Sequence, residues 1–174
     1  MLGYWIANAR RVKLVAEQQS RLSMAANRIS LALGFILLWY PGLAGPWRLA
    51  LTPQTDLARA GGAVLCVLGL LVAIWSRRTL AGNWSRDVTF RQGHELITAG
   101  PYRFVRHPIY TGILLMFFGS AMQDGRLHSW LGFLILCLGI WIKIQQEESL
   151  MLRHFPDEYP AYQKRVKALV PFLI

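Results

Sequence analysis

Four stretches of this chain run without a single charged residue: positions 29–47 (19 residues), 60–76 (17), 107–123 (17) and 127–142 (16). A helix that crosses a bilayer needs about 20 consecutive apolar residues, with a range of about 17 to 25. Core helices of soluble proteins seldom come this long and this apolar four times over. The runs predict an all-α, polytopic membrane helical bundle of four spans, folded as one domain over residues 1–174. Pro41, Gly42, Gly45 and Pro46 end the first helix near Tyr40. Pro108 opens the third, a first-turn position that suits proline. Only the segment around Asp124-Gly125-Arg126 separates spans three and four, which predicts a tight helical hairpin.

Composition agrees with a membrane class. Hydrophobic residues make up 54% and charged residues 16%, mean hydropathy is +0.32, and the net charge is +10. The basic residues cluster between the apolar runs, so anionic lipid headgroups, not nucleic acid, are the expected counter-charge. Lys and Arg number five in residues 1–28, six in 77–106 and five from 143 onward, against Arg48, Arg59 and Arg126 in the two opposite connections. The positive-inside rule then puts the rich segments, and both termini, in the cytoplasm. No signal peptide is evident, because the first basic run follows the apolar patch at 2–9 rather than preceding it.

Cys66 and Cys137 each lie alone within an apolar run, and His94, His107, His128 and His154 show no ligand-like spacing. No metal site is expected. Glycine pairs seven apart, Gly62/Gly69, Gly112/Gly119 and Gly132/Gly139, mark faces where helix backbones approach closely. After Glu148, Phe155, Tyr159, Tyr162, Val166 and Leu169 recur in steps of four and three, with Lys164, Arg165 and Lys167 on other faces. That pattern predicts a C-terminal helix, either interfacial on the cytoplasmic leaflet or docked on the protein itself.

Three polar clusters fall on the cytoplasmic side: His94-Glu95-Leu96-Ile97 with Tyr102, Arg106-His107-Pro108-Ile109-Tyr110, and Lys143 with Glu147 and Glu148. Snorkelling anchors are normally Lys or Arg. Two adjacent glutamates beside an apolar run need partners and point to a site, and Arg106 and His107 are the partners in reach of Glu147. Arg106 directly precedes the third span, where a planar guanidinium could hold a carboxylate. Lys143 and Glu147 share a helix face one turn apart. No G-x-S-x-G elbow, H-E-x-x-H, phosphate loop or CxxC occurs. Such a site would align a soluble donor with an acceptor delivered from the bilayer, which is a transferase's task.

The stretch GPYRFVRHPIYTG, followed by EESLMLRHFPDEYPAYQKRVKALVPF and preceded by GNWSRDVTFRQGHELITAG, resembles the isoprenylcysteine carboxyl methyltransferases and their prokaryotic relatives, related to the phospholipid methyltransferases. The resemblance covers residues 75 to 172 and implies S-adenosylmethionine-dependent methyl transfer at the cytoplasmic face, with S-adenosylhomocysteine as product. It implies a cofactor-binding half at about 77–174, with contacts from His94, Glu95, Leu96, Ile97, Tyr102, His107, Pro108, Ile109, Tyr110 and Glu147. Glu147 and Arg106 are the expected catalytic residues. Lys143 stands where the eukaryotic enzymes use arginine to touch the acceptor; it keeps the charge and loses the bidentate fork. The expected acceptor is lipophilic, foremost the carboxylate of an isoprenylated cysteine. A phospholipid amine, a sterol-type nicotinamide-dependent reduction and a non-enzymatic membrane protein are the alternatives. The relatives usually begin with one more spanning helix, whereas here only residues 2–9 are apolar before the basic run.

Overall fold

A computed structural model describes residues 15–18, 21–40, 44–80, 89–91 and 96–171. Five α-helices dominate them: α1 (Arg21–Trp39), α2 (Asp56–Leu80), α3 (Pro108–Asp124), α4 (Leu127–His154) and α5 (Glu158–Arg165). The all-α expectation needs one amendment. Strands β1 (Val15–Gln18) and β2 (Thr89–Arg91) pair antiparallel, with an irregularity between Val15 and Glu17. Strands of three and four residues are too short for an alternating pattern to stand out in sequence.

Among the described residues, two helices are long and apolar enough to cross a membrane, α2 and α4. Helix α3 is shorter, with 17 residues and a length of about 25 Å. In α1 the apolar part is Asn27–Trp39. The surface of α2 explains why a soluble core does not account for it. Leu57 is 83% exposed, and Val64, Val67, Leu68, Leu71 and Trp75 are also open to the surroundings. A contiguous apolar face of that size is suited to lipid.

Glycine decides which helices touch. A β-carbon on Gly112 would come within 2.5 Å of the Gly69 carbonyl, and one on Gly62 within 2.5 Å of the Gly119 carbonyl. With no side chain at these points, the backbones of α2 and α3 cross in contact, antiparallel. The same device joins α1 to α4, where a β-carbon on Gly132 would meet the Gly34 carbonyl at 2.7 Å. Helices α3 and α4 are thus joined as a hairpin by a two-residue turn, yet each takes its close backbone contact from an earlier helix. Leu38, Ala121 and Leu136 form the buried core between the pairs.

The α3–α4 turn is built on Gly125, which adopts φ 66° in the left-handed region and caps α3 through its N–H to the Ala121 carbonyl, 2.7 Å. Its own carbonyl accepts from Leu51 N at 2.8 Å. Nearby, His128 Nδ1 donates to the Leu37 carbonyl at 2.9 Å, and the Ser129 hydroxyl lies 3.5 Å from that of Leu38. The Leu37 carbonyl, left open at the end of α1, is satisfied in this way, while the Ser129 hydroxyl donates to Asp124.

At the other end, α4 overshoots. Its 28 residues extend about 42 Å, more than the roughly 30 Å hydrocarbon thickness. The charged turns from Lys143 onward lie beyond the apolar part of α4, level with the start of α3. Of the two readings of the C-terminal pattern, docking fits: α5 has eight residues, and Tyr159 and Tyr162, each 3% exposed, pack into the protein. Its apolar stripe is consumed by docking, while Lys164, Arg165 and Lys167 remain exposed.

Candidate active site

The motif before α3 is shaped by its prolines and glycine. Gly100 takes φ 60°, Pro101 opens a 3-10 turn over Gly100–Arg103, and His107 caps α3 ahead of the fully buried Pro108. The chain after α5 then lies alongside this motif. Arg106 N donates to the Lys167 carbonyl at 2.8 Å, His107 N to Ala168 at 2.9 Å, and the Thr111 hydroxyl to Leu169 at 2.7 Å. Residues 166–169 are a strap that holds residues 105–111 against the end of α4.

Two adjacent glutamates meet this motif with different partners. Glu147 accepts from the Tyr110 hydroxyl and has its other oxygen 3.6 Å from His107 Nδ1. Glu148 is buried; its Oε1 accepts from Arg106 Nε at 2.8 Å, Arg106 Nη2 at 2.7 Å and His107 Nε2 at 3.1 Å. Its Oε2 accepts from Gln163 Nε2 at 2.8 Å. The expected grouping of Arg106 with Glu147 is thereby revised. The position one residue along, about 100° around the helix, is the one that faces Arg106.

Arg106 is heavily engaged. Beyond Glu148, its Nη1 donates to the Gln163 and Val166 carbonyls at the end of α5. Its position is that of a clamp between α4 and α5. His107 is buried and stacks on Tyr110 with ring centroids 5.7 Å apart, and Lys143 Nζ lies 5.5 Å above the Tyr110 ring. Lys143, Tyr110, His107 and Glu147 thus form one contiguous group at the inner ends of α3 and α4.

Tyr102 is buried below it, and its carbonyl accepts from the Tyr162 hydroxyl. Burial, and then the Glu147 charge, push the Tyr102 phenol above its ordinary range. Burial also raises Tyr162, with Arg106 opposing and Glu148 adding. Both phenols therefore stay neutral near pH 7. Leu96, Ile97 and Ile109 are half-buried nearby in sequence. His94 and Glu95 lie outside the described residues. Among the described residues no group of three or more His, Cys, Asp or Glu could hold a metal.

Sequence reasoning missed Gln163, Thr111 and the strap carbonyls. Gln163 is one of several polar residues on a short helix, beside Lys164 and Arg165, and backbone acceptors carry no sequence signature. The tyrosine spacing of α5 was the available signal, since a buried stripe needs a surface to dock on.

Residues 57–158 match the family described as Phospholipid methyltransferase. The chain belongs to that family. Curated relatives include protein-S-isoprenylcysteine O-methyltransferase of Schizosaccharomyces pombe, 36% identical over 81 residues, 46% of this chain and 34% of that protein. Protein-S-isoprenylcysteine O-methyltransferase B of Arabidopsis thaliana is 24% identical over 140 residues, 79% of this chain and 66% of that protein. Methanethiol S-methyltransferase 1 of Bradyrhizobium diazoefficiens is 38% identical over 72 residues, 41% of this chain and 24% of that protein. The chain spans about a quarter to two-thirds of the length of these relatives.

Proposed function

We propose that this protein is an integral membrane methyltransferase that uses S-adenosylmethionine to methylate a lipophilic acceptor, foremost the carboxylate of an isoprenylated cysteine. The observation that carries this reading is the Glu147–His107–Tyr110 group beside Lys143, at the membrane edge of a phospholipid methyltransferase-family chain.

The donor set fits the cofactor. A half-buried carboxylate flanked by aromatic rings suits a positively charged sulfonium or ammonium. When bound, S-adenosylmethionine supplies an activated methyl group: its carbon–sulfur bond breaks as a carbon–oxygen bond forms to the acceptor carboxylate, with no proton moved. The protein's residues need to bind, orient and exclude water. Glu147 holds the cationic donor, with Tyr110 donating to the carboxylate and fixing its rotamer. Tyr102 and Pro108 wall the site. Lys143, one turn before Glu147, offers positive charge to an acceptor carboxylate. We read Arg106, first expected as catalytic, as a positioning residue: Glu148 and two carbonyls already take its donors.

A second reading has one observation in its favour, the family description itself: a phospholipid amine would then be the acceptor. We further read four spans, with α1 and α3 completing the bundle and both termini cytoplasmic by the positive-inside rule.

The test uses purified protein in phospholipid vesicles with methyl-labelled S-adenosylmethionine. A farnesylated cysteine analogue is expected to yield an alkali-labile methyl ester; label fixed in phospholipid as an alkali-stable amine would select the second reading. Transfer to neither, with no binding of S-adenosylhomocysteine, overturns the proposal. Cysteine labelling at the C-terminus from the outer side would overturn the topology.

A further inference from the structure

Gln163 grips both members of the buried pair behind the site. Its side-chain amide donates to Glu148 Oε2 at 2.8 Å, and its backbone carbonyl accepts from Arg106 Nη1 at 3.3 Å. The remaining oxygen, Glu148 Oε1, accepts from Arg106 and, at 3.1 Å, from His107 Nε2. A carboxylate anchored at one oxygen can swivel; anchored at both, it presents Oε1 in one place.

That anchoring has a consequence for His107. A carboxylate only accepts hydrogen bonds, so Nε2 must carry the proton it donates to Glu148. In the neutral ring Nδ1 is then a bare acceptor, and it faces Glu147 Oε2 at 3.6 Å. Two acceptors facing one another are relieved by a cationic group beside them or by a proton on Nδ1 itself. The tautomer of one ring thus helps determine what the site in front of it attracts.

We propose that Gln163 is a positioning residue: through Glu148 it holds His107 as its Nε2–H tautomer, with Nδ1 turned toward the donor pocket. The inference rests on the methyltransferase reading for its consequence and on the contacts above for its geometry. A polar residue of α5 thereby reaches the site through one intermediary, without touching the cofactor itself.

The test compares two variants of the full chain in phosphatidylcholine vesicles. Gln163→Glu keeps the shape and replaces the donor with an acceptor; Gln163→Lys keeps a donor. With histidine labelled by nitrogen-15, solid-state NMR reports the His107 tautomer, assigned by the signal lost in His107→Gln. The parent and Gln163→Lys are expected to show a single Nε2–H form, and Gln163→Glu a mixture. S-Adenosylhomocysteine binding is expected to weaken about fivefold in Gln163→Glu, a fraction of the more than about tenfold that a directly lost hydrogen bond to a charged group would cost. A lower melting temperature in Gln163→Glu with the tautomer unchanged would make Gln163 a mere fastener of α5 and overturn the proposal. Loss of the single form in Gln163→Lys would overturn it too. Failure of the parent to bind S-adenosylhomocysteine would instead count against the methyltransferase reading, while the tautomer spectra would still decide the role of Gln163.

Discussion

Arg106 and Glu148, 42 positions apart in the chain, form an ion pair in which Nη2 and Nε approach the same carboxylate oxygen at 2.7 and 2.8 Å. Both side chains are about nine-tenths buried, at 11% and 10% exposure. The pair closes the polar end of the bundle by linking the start of α3, the end of α4 and, through the Gln163 and Val166 carbonyls, the end of α5.

Removing one partner of such a pair leaves a buried charge without its counterpart, a loss of about 3 kcal/mol. Glu148→Ala is therefore expected to lower the melting temperature markedly, and Arg106→Lys to do so by less. One ammonium cannot serve a carboxylate and two carbonyls as a planar guanidinium does. Thermal melts in detergent test this; an Arg106→Lys variant as stable as the parent, with turnover alone reduced, would restore the catalytic role first expected for Arg106.

Close backbone crossings make a second, steric expectation. Gly112→Ala puts a β-carbon 2.5 Å from the Gly69 carbonyl and 2.8 Å from Ala73 N, where only backbone could give way. At Gly61 the nearest atom is the flexible Met122 Cε at 3.1 Å. Gly112→Ala is expected to cost on the order of 2 kcal/mol through overpacking and Gly61→Ala well under 1. Equal melting temperatures for the two variants would contradict the α2–α3 crossing.

These glycines also show how much of the fold was legible in sequence. A seven-residue spacing marked the contact faces, Pro108 marked a helix start, and Tyr40 marked the end of a helix that stops at Trp39. Uncharged runs located the helices because lipid-facing segments cannot carry free charge. Pairing was not legible: nothing in the spacing says that Gly112 meets Gly69. In the site, the glutamate pair and the RHPxY stretch were visible as expensive residues, whereas the choice between Glu147 and Glu148 for Arg106 depends on helix rotation. The strap was invisible because its contribution is made by carbonyls.

The buried phenols give the fold an alkaline limit. Tyr102, Tyr159 and Tyr162 all have folded-state pKa values raised by burial above the ordinary value of about 10. Above that pH the unfolded chain loses protons that the folded chain retains, so the folded state binds more protons and stability falls as pH rises. Below about pH 10 this contribution is fully present. Melting temperatures are expected to drop steeply beyond about pH 10, and Tyr162→Phe to show a shallower drop from a starting stability lower by about 1 kcal/mol, the loss of its hydrogen bond to the Tyr102 carbonyl. An unchanged alkaline slope in Tyr162→Phe would remove that phenol from the explanation.

Glu147 and Tyr110 share one hydrogen bond, and their consequences should be shared as well. Glu147→Gln removes the negative charge offered to a cationic donor and keeps the shape; Tyr110→Phe keeps the charge and frees the carboxylate to rotate. Each is expected to weaken S-adenosylhomocysteine binding, by about tenfold for Glu147→Gln, or roughly 1.4 kcal/mol, and by less for Tyr110→Phe. Because the phenol acts only by orienting the carboxylate, the double variant should bind no worse than Glu147→Gln by more than a small margin, a coupling of at least about 0.5 kcal/mol. Stability should change little in either single variant, since Glu147 is a quarter exposed and takes no part in the Arg106 clamp. Calorimetric titration of the four proteins measures the cycle. Strict additivity would mean that Tyr110 and Glu147 contact the ligand independently, and the positioning role given to the Tyr110 hydroxyl would fall.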